Sequence, residues 1–221
     1  MDNQKNITRR PLKSRDTKLA KTIASWLARF GIRPNTISVA GTIFAALAGI
    51  CFWFAGQTPR DWHWSFLLIL AICGMQLRLL CNLFDGMVAI EGGFKTKAGE
   101  IFNELPDRFS DAFIFIGAAY SLPGFAWTRE LGWAAAVLAV ITAYVRALGA
   151  SMGAGQQYIG PMAKQQRMAL MTAACLIGAL APFWPSLAKI IPLALGLVAV
   201  GCVFTIFRRC CRIAQEMELK P

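Results

Sequence analysis

Residues 63–91 read HWSFLLILAICGMQLRLLCNLFDGMVAIE. Most of this run is apolar, and a helix needs about 20 mostly apolar residues to cross a bilayer. The whole chain has the same character, because 56% of its 221 residues are hydrophobic and only 16% are charged. The surface of a water-soluble globule needs more polar residues than this. The composition therefore predicts an all-α integral membrane protein.

Similar apolar segments recur along the chain and predict a bundle of six transmembrane helices, at residues 36–56, 63–91, 99–122, 131–153, 165–183 and 187–207. Upstream of them, Leu19, Ile23 and Trp26 follow helical spacing within residues 15–31, which predicts an amphipathic helix in the headgroup layer. A solvated tail is the alternative. The expected organisation is a basic N-terminal segment with this helix (1–34), a six-helix transmembrane domain (35–208) and a cytoplasmic tail (209–221).

Basic residues outnumber acidic ones, 23 to 12, which leaves a formal net charge of +11. They gather at the two ends of the chain rather than on one folded face, so anionic membrane lipids are the expected partner and nucleic acid is not. Their distribution between the predicted spans places both termini in the cytoplasm. We therefore expect a multi-pass protein of the cytoplasmic (inner) membrane.

Six of the twelve acidic residues fall between Asp85 and Asp111, at the end of the second predicted span and the start of the third. An ionisable group at the centre of a lone membrane helix costs at least about 2.5 kcal/mol, so this cluster is the candidate functional site. A solvated helix end with chance acids is the alternative. Steps of three and four residues align two faces, which consist of Arg78, Asn82, Asp85 and Ala89 on one helix and Gly99, Asn103, Asp107 and Asp111 on the next.

Carboxylate and amide oxygens facing each other in this way are the ligands that Mg²⁺ or Mn²⁺ selects. Gly86 and Gly99 lack side chains, so a bulky ligand can approach the backbone closely there. A second polar set, Arg146, Lys164 and Arg167, lies on the same predicted side of the membrane and is suited to a phosphate or a lipid headgroup. For Lys164 and Arg167 the alternative is a role as membrane anchors.

The stretch from Asn82 to Asp111, NLFDGMVAIEGGFKTKAGEIFNELPDRFSD, resembles the signature of the CDP-alcohol phosphotransferases. That pattern reads Asp-x2-Asp-Gly-x2-Ala-Arg and, after a short spacer, Gly-x3-Asp-x3-Asp. Five of its positions match here without a gap, namely Asp85, Gly86, Ala89, Gly99 and Asp107. The segment GIRPNTIS, residues 31–38, is similar to the motif that precedes the first span in that family.

The resemblance implies a metal-dependent membrane transferase of phospholipid biosynthesis. Such an enzyme moves a substituted phosphate group from a CDP-linked donor, with CDP-diacylglycerol expected, to an alcohol acceptor and releases CMP. By position, the resemblance implies an Mg²⁺ or Mn²⁺ site at Asn82, Asp85, Asn103 and Asp107. It implies Asp107 as the base for the acceptor hydroxyl, with Asp111 as the alternative base. It also leaves a homodimer open.

Three positions depart from the signature: the first and third Asp are Asn82 and Asn103, and the Arg after Ala89 is Ile90. An asparagine oxygen still ligates a cation but brings no charge. Two other functions therefore remain open. One is a catalytically silent relative that binds a CDP-lipid or a partner, and the other is a small membrane transporter that uses the acids as an ion path.

Overall fold

The computed structural model describes residues 17–94 and 99–219, without the side chains of Glu100 and Asn103. This part of the chain is all-helical and has no strand, which confirms the all-α part of the predicted fold class. Four helical stretches, Pro34–Ala55, Trp62–Glu91, Thr128–Ser151 and Pro185–Glu218, are long and apolar enough to cross a membrane. The seven helices are α1 (Lys18–Arg29), α2 (Pro34–Ala55), α3 (Trp62–Glu91), α4 (Gly99–Ala119), α5 (Thr128–Ser151), α6 (Lys164–Gly178) and α7 (Ile190–Glu218).

The helix ends differ from the predicted spans mainly near the C-terminus. Helix α6 ends at Gly178 rather than at residue 183, and a 3-10 turn at Pro185–Lys189 precedes α7. Two prolines, Pro182 and Pro185, lie in this connection, and a proline has no N–H to continue a helix. Helix α7 continues to Glu218, through most of the segment predicted to be a tail, because Arg209 and Ile213 are buried against the bundle.

The start of α3 is set by a side-chain cap. The Asp61 carboxylate accepts hydrogen bonds from the backbone N–H of His63 at 2.9 Å and of Trp64 at 3.5 Å. These N–H groups have no partner within the helix, which is why Asp is favoured at this position. Hydrogen bonds from the His63 ring and backbone lower the pKa of Asp61. The carboxylate therefore stays ionised as a cap over a wider range of acid pH.

Helix α2 packs against both α3 and α4, and α5 packs against α4 and α7. The α2–α4 crossing is close because each helix presents a glycine. A Cβ at Gly49 would lie 2.4 Å from the Phe113 carbonyl oxygen, and one at Gly117 would lie 2.4 Å from the Gly49 Cα. No larger side chain fits at this separation, so the two glycines bring the backbones of α2 and α4 into direct contact.

The connectivity brings the starts of α2, α4 and α6 and the ends of α3, α5 and α7 to one end of the bundle. Two side-chain contacts show this arrangement for α2, α3, α4 and α6: the Ser38 hydroxyl on α2 bonds to Asp85 on α3, and the Lys164 ammonium on α6 contacts Asp107 on α4. Helix α1 packs against α3 and buries Ala20 and Ala24. The polar end of the bundle is where the predicted site residues lie.

Candidate functional site

A small cleft opens between α2, α3 and α4 at the polar end of the bundle. Helix α2 lines one wall, and the two faces predicted from helical spacing line the others. Four of the predicted site residues therefore meet in three dimensions. The cleft is lined by Ser38, Gly41, Arg78, Cys81, Asn82, Asp85, Pro106, Asp107 and Ser110.

The two carboxylate oxygens of Asp85 differ in their hydrogen bonds. The Ser38 hydroxyl donates to Asp85 Oδ2 at 2.8 Å, while Asp85 Oδ1 is buried and has no hydrogen-bond partner. The residue is only 4% exposed. A buried acceptor without a donor is costly unless a ligand satisfies it. Asp85 is thus the carboxylate of the cleft that is ready to receive a cation.

Asp107 is surrounded by donors. The Asn82 amide nitrogen lies 3.2 Å from Asp107 Oδ1 and 3.3 Å from Oδ2, and the Lys164 ammonium forms an ion pair with Oδ2. The Arg78 guanidinium lies 3.6 Å from Oδ1. Asp107 therefore has contacts to both oxygens and sits where α3, α4 and α6 meet.

Asp111, one turn further along α4, is held by two arginines. Arg78 binds Oδ1 at 2.7 Å, and Arg167 binds Oδ2 at 2.5 Å. All three side chains are buried, with exposures of 1% for Asp111, 1% for Arg78 and 3% for Arg167. Such a buried group is stable only while its charges stay paired. The structure thus places Asp111, the alternative base, in an ion-pair network behind the cleft.

Arg146 lies near the same end but outside the cleft lining. It binds Glu104 Oε2 at 2.6 Å and the side-chain oxygen of Gln156 at 3.2 Å, and it lies over the Tyr158 ring. Arg108 also pairs with Glu104. Glu104 is therefore paired with two arginines.

The remaining predicted residues lie around the cleft. Gly86 follows Asp85, Ala89 lies one turn further along α3, and Gly99 begins α4. None of these three is among the described residues that line the cleft. The side chain of Asn103 lies outside the described part of the chain, so its predicted place in the metal site stays a prediction.

Comparison with known proteins gives a consistent result, although no protein-family model matches the chain. It is 29% identical over 211 residues to a phosphatidylinositol phosphate synthase of Cutibacterium acnes, covering 91% of this chain and 95% of the relative. It is 25% identical over 205 residues to the enzyme of the same name from Streptomyces avermitilis, covering 90% of this chain and 80% of the relative.

The fold agrees as well. A crystal structure of Mycobacterium tuberculosis phosphatidylinositol phosphate synthase with CDP-DAG bound superimposes with a TM-score of 0.71 at 20% identity, covering 89% of this chain and 94% of that one. The same enzyme in complex with manganese and citrate gives a TM-score of 0.70 at 21% identity, covering 88% of each chain. In sequence and in fold, the chain is therefore similar to phosphatidylinositol phosphate synthases. The predicted resemblance is confirmed.

Sequence reasoning missed one residue of this site. Ser38 binds Asp85 from α2, although the predicted cluster involves only α3 and α4. A signal was present, because Ser38 is the last residue of the family-like segment GIRPNTIS. The contact itself joins residues 47 positions apart, and spacing along one helix cannot reveal it.

Proposed function

We propose that the protein is a membrane transferase of phospholipid biosynthesis. It moves a substituted phosphate group from a CDP-linked donor, CDP-diacylglycerol, to an alcohol acceptor. In this reaction the phosphoanhydride P–O bond of the donor breaks, a P–O bond to the acceptor oxygen forms, and CMP leaves. The names of the relatives support this chemistry, since both sequence relatives are phosphatidylinositol phosphate synthases and one structural neighbour holds CDP-DAG.

The observation that carries the proposal is the convergence of the signature residues on one cleft. Asn82, Asp85 and Asp107 come from two helices, and the tertiary structure places them together at one end of an apolar bundle. A cleft at this depth allows a lipid-linked donor to keep its chains in the bilayer while its polar head reaches the acids. A phosphate with a lipid substituent needs such a boundary site.

The cleft also fits a divalent cation. Asp85 Oδ1 is a buried oxygen without a donor, and the Asn82 amide oxygen lies on the same face one turn earlier. Hard oxygen donors of this kind suit Mg²⁺ or Mn²⁺, and a structural neighbour contains manganese. When bound, the ion would neutralise charge that develops on the pyrophosphate. The signature implies Asn82, Asp85, Asn103 and Asp107 as metal ligands, and of these Asp85 has the oxygen without a hydrogen-bond partner.

The other polar groups then take defined parts. Asp107 accepts the proton of the attacking hydroxyl, because it is the only carboxylate in the described cleft lining besides Asp85. Lys164 and Arg78 place positive charge beside it. Arg167 acts through Asp111, whose ion pairs keep Arg78 in place.

Residues around the cleft contribute to substrate binding in this proposal. Gly86, Ala89 and Gly99 let the nucleotide approach the backbones of α3 and α4, because the glycines have no side chain and that of Ala89 is a single methyl group. Arg146 lies at the same end of the bundle with its guanidinium partly exposed, and it is assigned to a phosphate or a lipid headgroup.

The membrane arrangement is part of the proposal. Helices α4 and α6 also cross, which gives six spans from α2 to α7 with both termini and the cleft on the cytoplasmic side of the cell membrane. The alternation of the helices supports this, since the starts of α2, α4 and α6 share one end. Helix α1 lies in the headgroup layer, with Leu19, Trp26 and Phe30 exposed to lipid. We keep segments 1–34, 35–208 and 209–221 as the N-terminal segment, the transmembrane domain and the cytoplasmic tail, with the end of α7 forming most of that tail.

A catalytically silent relative is the second candidate. It is favoured by Asn82 and by the contacts of Asp107 to Asn82 and Lys164, which occupy both oxygens of that carboxylate. Such a protein would bind the CDP-lipid without turnover. In either case a second copy of the chain remains a candidate partner.

The test is CMP release by the purified protein in lipid nanodiscs with CDP-diacylglycerol, Mn²⁺ or Mg²⁺ and a panel of alcohols. We expect metal-dependent CMP release with one acceptor. Asp85→Asn and Asp107→Asn should each abolish it. Asp61→Asn, a matched change at the capping position of α3, should leave it unchanged because Asn also caps helices. Full activity in both cleft variants contradicts the proposal, and donor binding without CMP release favours the silent relative.

A further inference from the structure

We propose that Lys164 is a built-in counter-ion of the cleft and that the chain therefore binds a single divalent cation, at Asp85 and Asn82. This inference rests on the proposed function, which makes the cleft a site for a divalent cation. It is tested by counting bound metal ions, which requires no turnover.

The first observation is the balance of charge. Among the side chains that the structure describes, the cleft and the network behind it contain equal numbers of carboxylates and protein cations. The carboxylates are Asp85, Asp107 and Asp111, and the cations are Arg78, Lys164 and Arg167. These side chains neutralise one another before any metal binds. A site that depended on two divalent ions would need an excess of negative charge.

The second observation is how the donors are distributed. Both oxygens of Asp111 are bound by arginines, and both oxygens of Asp107 have protein donors. Among the buried side-chain oxygens of residues 17–94 and 99–219, Asp85 Oδ1 is the one acceptor without a hydrogen bond. A cation that enters the cleft finds its vacant carboxylate oxygen there and not at Asp107.

The third observation concerns Asn82. Its amide nitrogen lies 3.2 and 3.3 Å from the two oxygens of Asp107. An aspartate at this position would bring a second carboxylate to the same distance, and like charges this close need a cation between them. The amide donates hydrogen bonds instead. Asn82 and Lys164 together satisfy Asp107 without a metal ion.

Lys164 can also serve the substrate. It is the first residue of α6, and 21% of its side chain is exposed, so its ammonium can turn from Asp107 to a phosphate oxygen in the cleft. An ammonium on a flexible stem suits such a transfer between anions. In this role Lys164 supplies the positive charge that a second divalent ion would otherwise bring.

The experiment counts Mn²⁺ ions bound to the purified chain in lipid nanodiscs by electron paramagnetic resonance, without nucleotide. We expect one ion per chain for the native sequence and none for Asp85→Asn. The variant Asn82→Asp/Lys164→Met adds a carboxylate and removes the counter-ion, so it should bind two. The matched control Asn82→Asp/Lys189→Met changes a lysine at the other end of the bundle and should bind one, as should Lys164→Arg.

Three results would overturn the inference: two ions on the native chain, none on the native chain at millimolar Mn²⁺, or a single ion on Asn82→Asp/Lys164→Met that elutes and unfolds like the native protein. If the double variant does not fold, the native count and Asp85→Asn still decide. Failure of the proposed function gives a different result. One bound ion without CMP release would contradict the transferase activity but leave the counter-ion role of Lys164 intact.

Discussion

Replacing Asp111 by asparagine removes the one carboxylate that two buried arginines share. Arg78 and Arg167 lie 2.7 and 2.5 Å from different oxygens of Asp111, and neither is more than 3% exposed. At an effective dielectric constant of about 20, a pair of unit charges at this distance attracts by roughly 6 kcal/mol. Desolvation offsets part of that attraction, and removal of one partner of a buried pair costs about 3–5 kcal/mol. We therefore expect Asp111→Asn to lower the free energy of unfolding by about 3–5 kcal/mol.

The assay is titration of the protein with sodium dodecyl sulfate in mixed micelles, followed by the fluorescence of its seven tryptophans. The double variant Asp111→Asn/Arg167→Gln should lose less stability than the two single variants added together, because it leaves one fewer buried charge unpaired. Glu130→Gln, at an exposed acid near the start of α5, is the control and should shift stability by less than about 0.5 kcal/mol. Two results would contradict this expectation: a loss below about 1 kcal/mol for Asp111→Asn, or a loss in the double variant equal to the sum of the two single losses.

Three further results are expected. Gly49→Ala should destabilise the protein by about 1–3 kcal/mol in the same titration, because its Cβ would lie 2.4 Å from a carbonyl oxygen of α4; Gly124→Ala, with nothing within 4 Å, should have little effect. Ser38→Ala removes the 2.8 Å hydrogen bond to Asp85 and should weaken Mn²⁺ binding about 10-fold, whereas Ser25→Ala at an exposed site should not. Chelation should abolish CMP release and added Mn²⁺ should restore it, and activity that persists in chelator would rule out a metal requirement.

Much of the site was predictable because its residues share helix faces. Asn82 and Asp85 are three positions apart on α3, and Asp107 and Asp111 are four apart on α4, so helical periodicity alone aligns each pair. The different surroundings of the two acids on α4 were less predictable. Only the contacts show that Asp107 faces the cleft while Asp111 binds two arginines behind it.

Composition and helical periodicity are enough to identify an apolar helical protein with half of its acids near one helix connection. Composition and helical periodicity can be read from residues close together in the sequence. Charged residues within apolar segments stand out because burying a charge in a membrane is costly. Which basic side chain pairs with which carboxylate follows only from the packing of the helices. Ser38, Lys164 and Arg167 reach their carboxylates from helices distant in sequence. Helical spacing orders residues within one helix, whereas packing between helices sets the distances on which electrostatic energy depends.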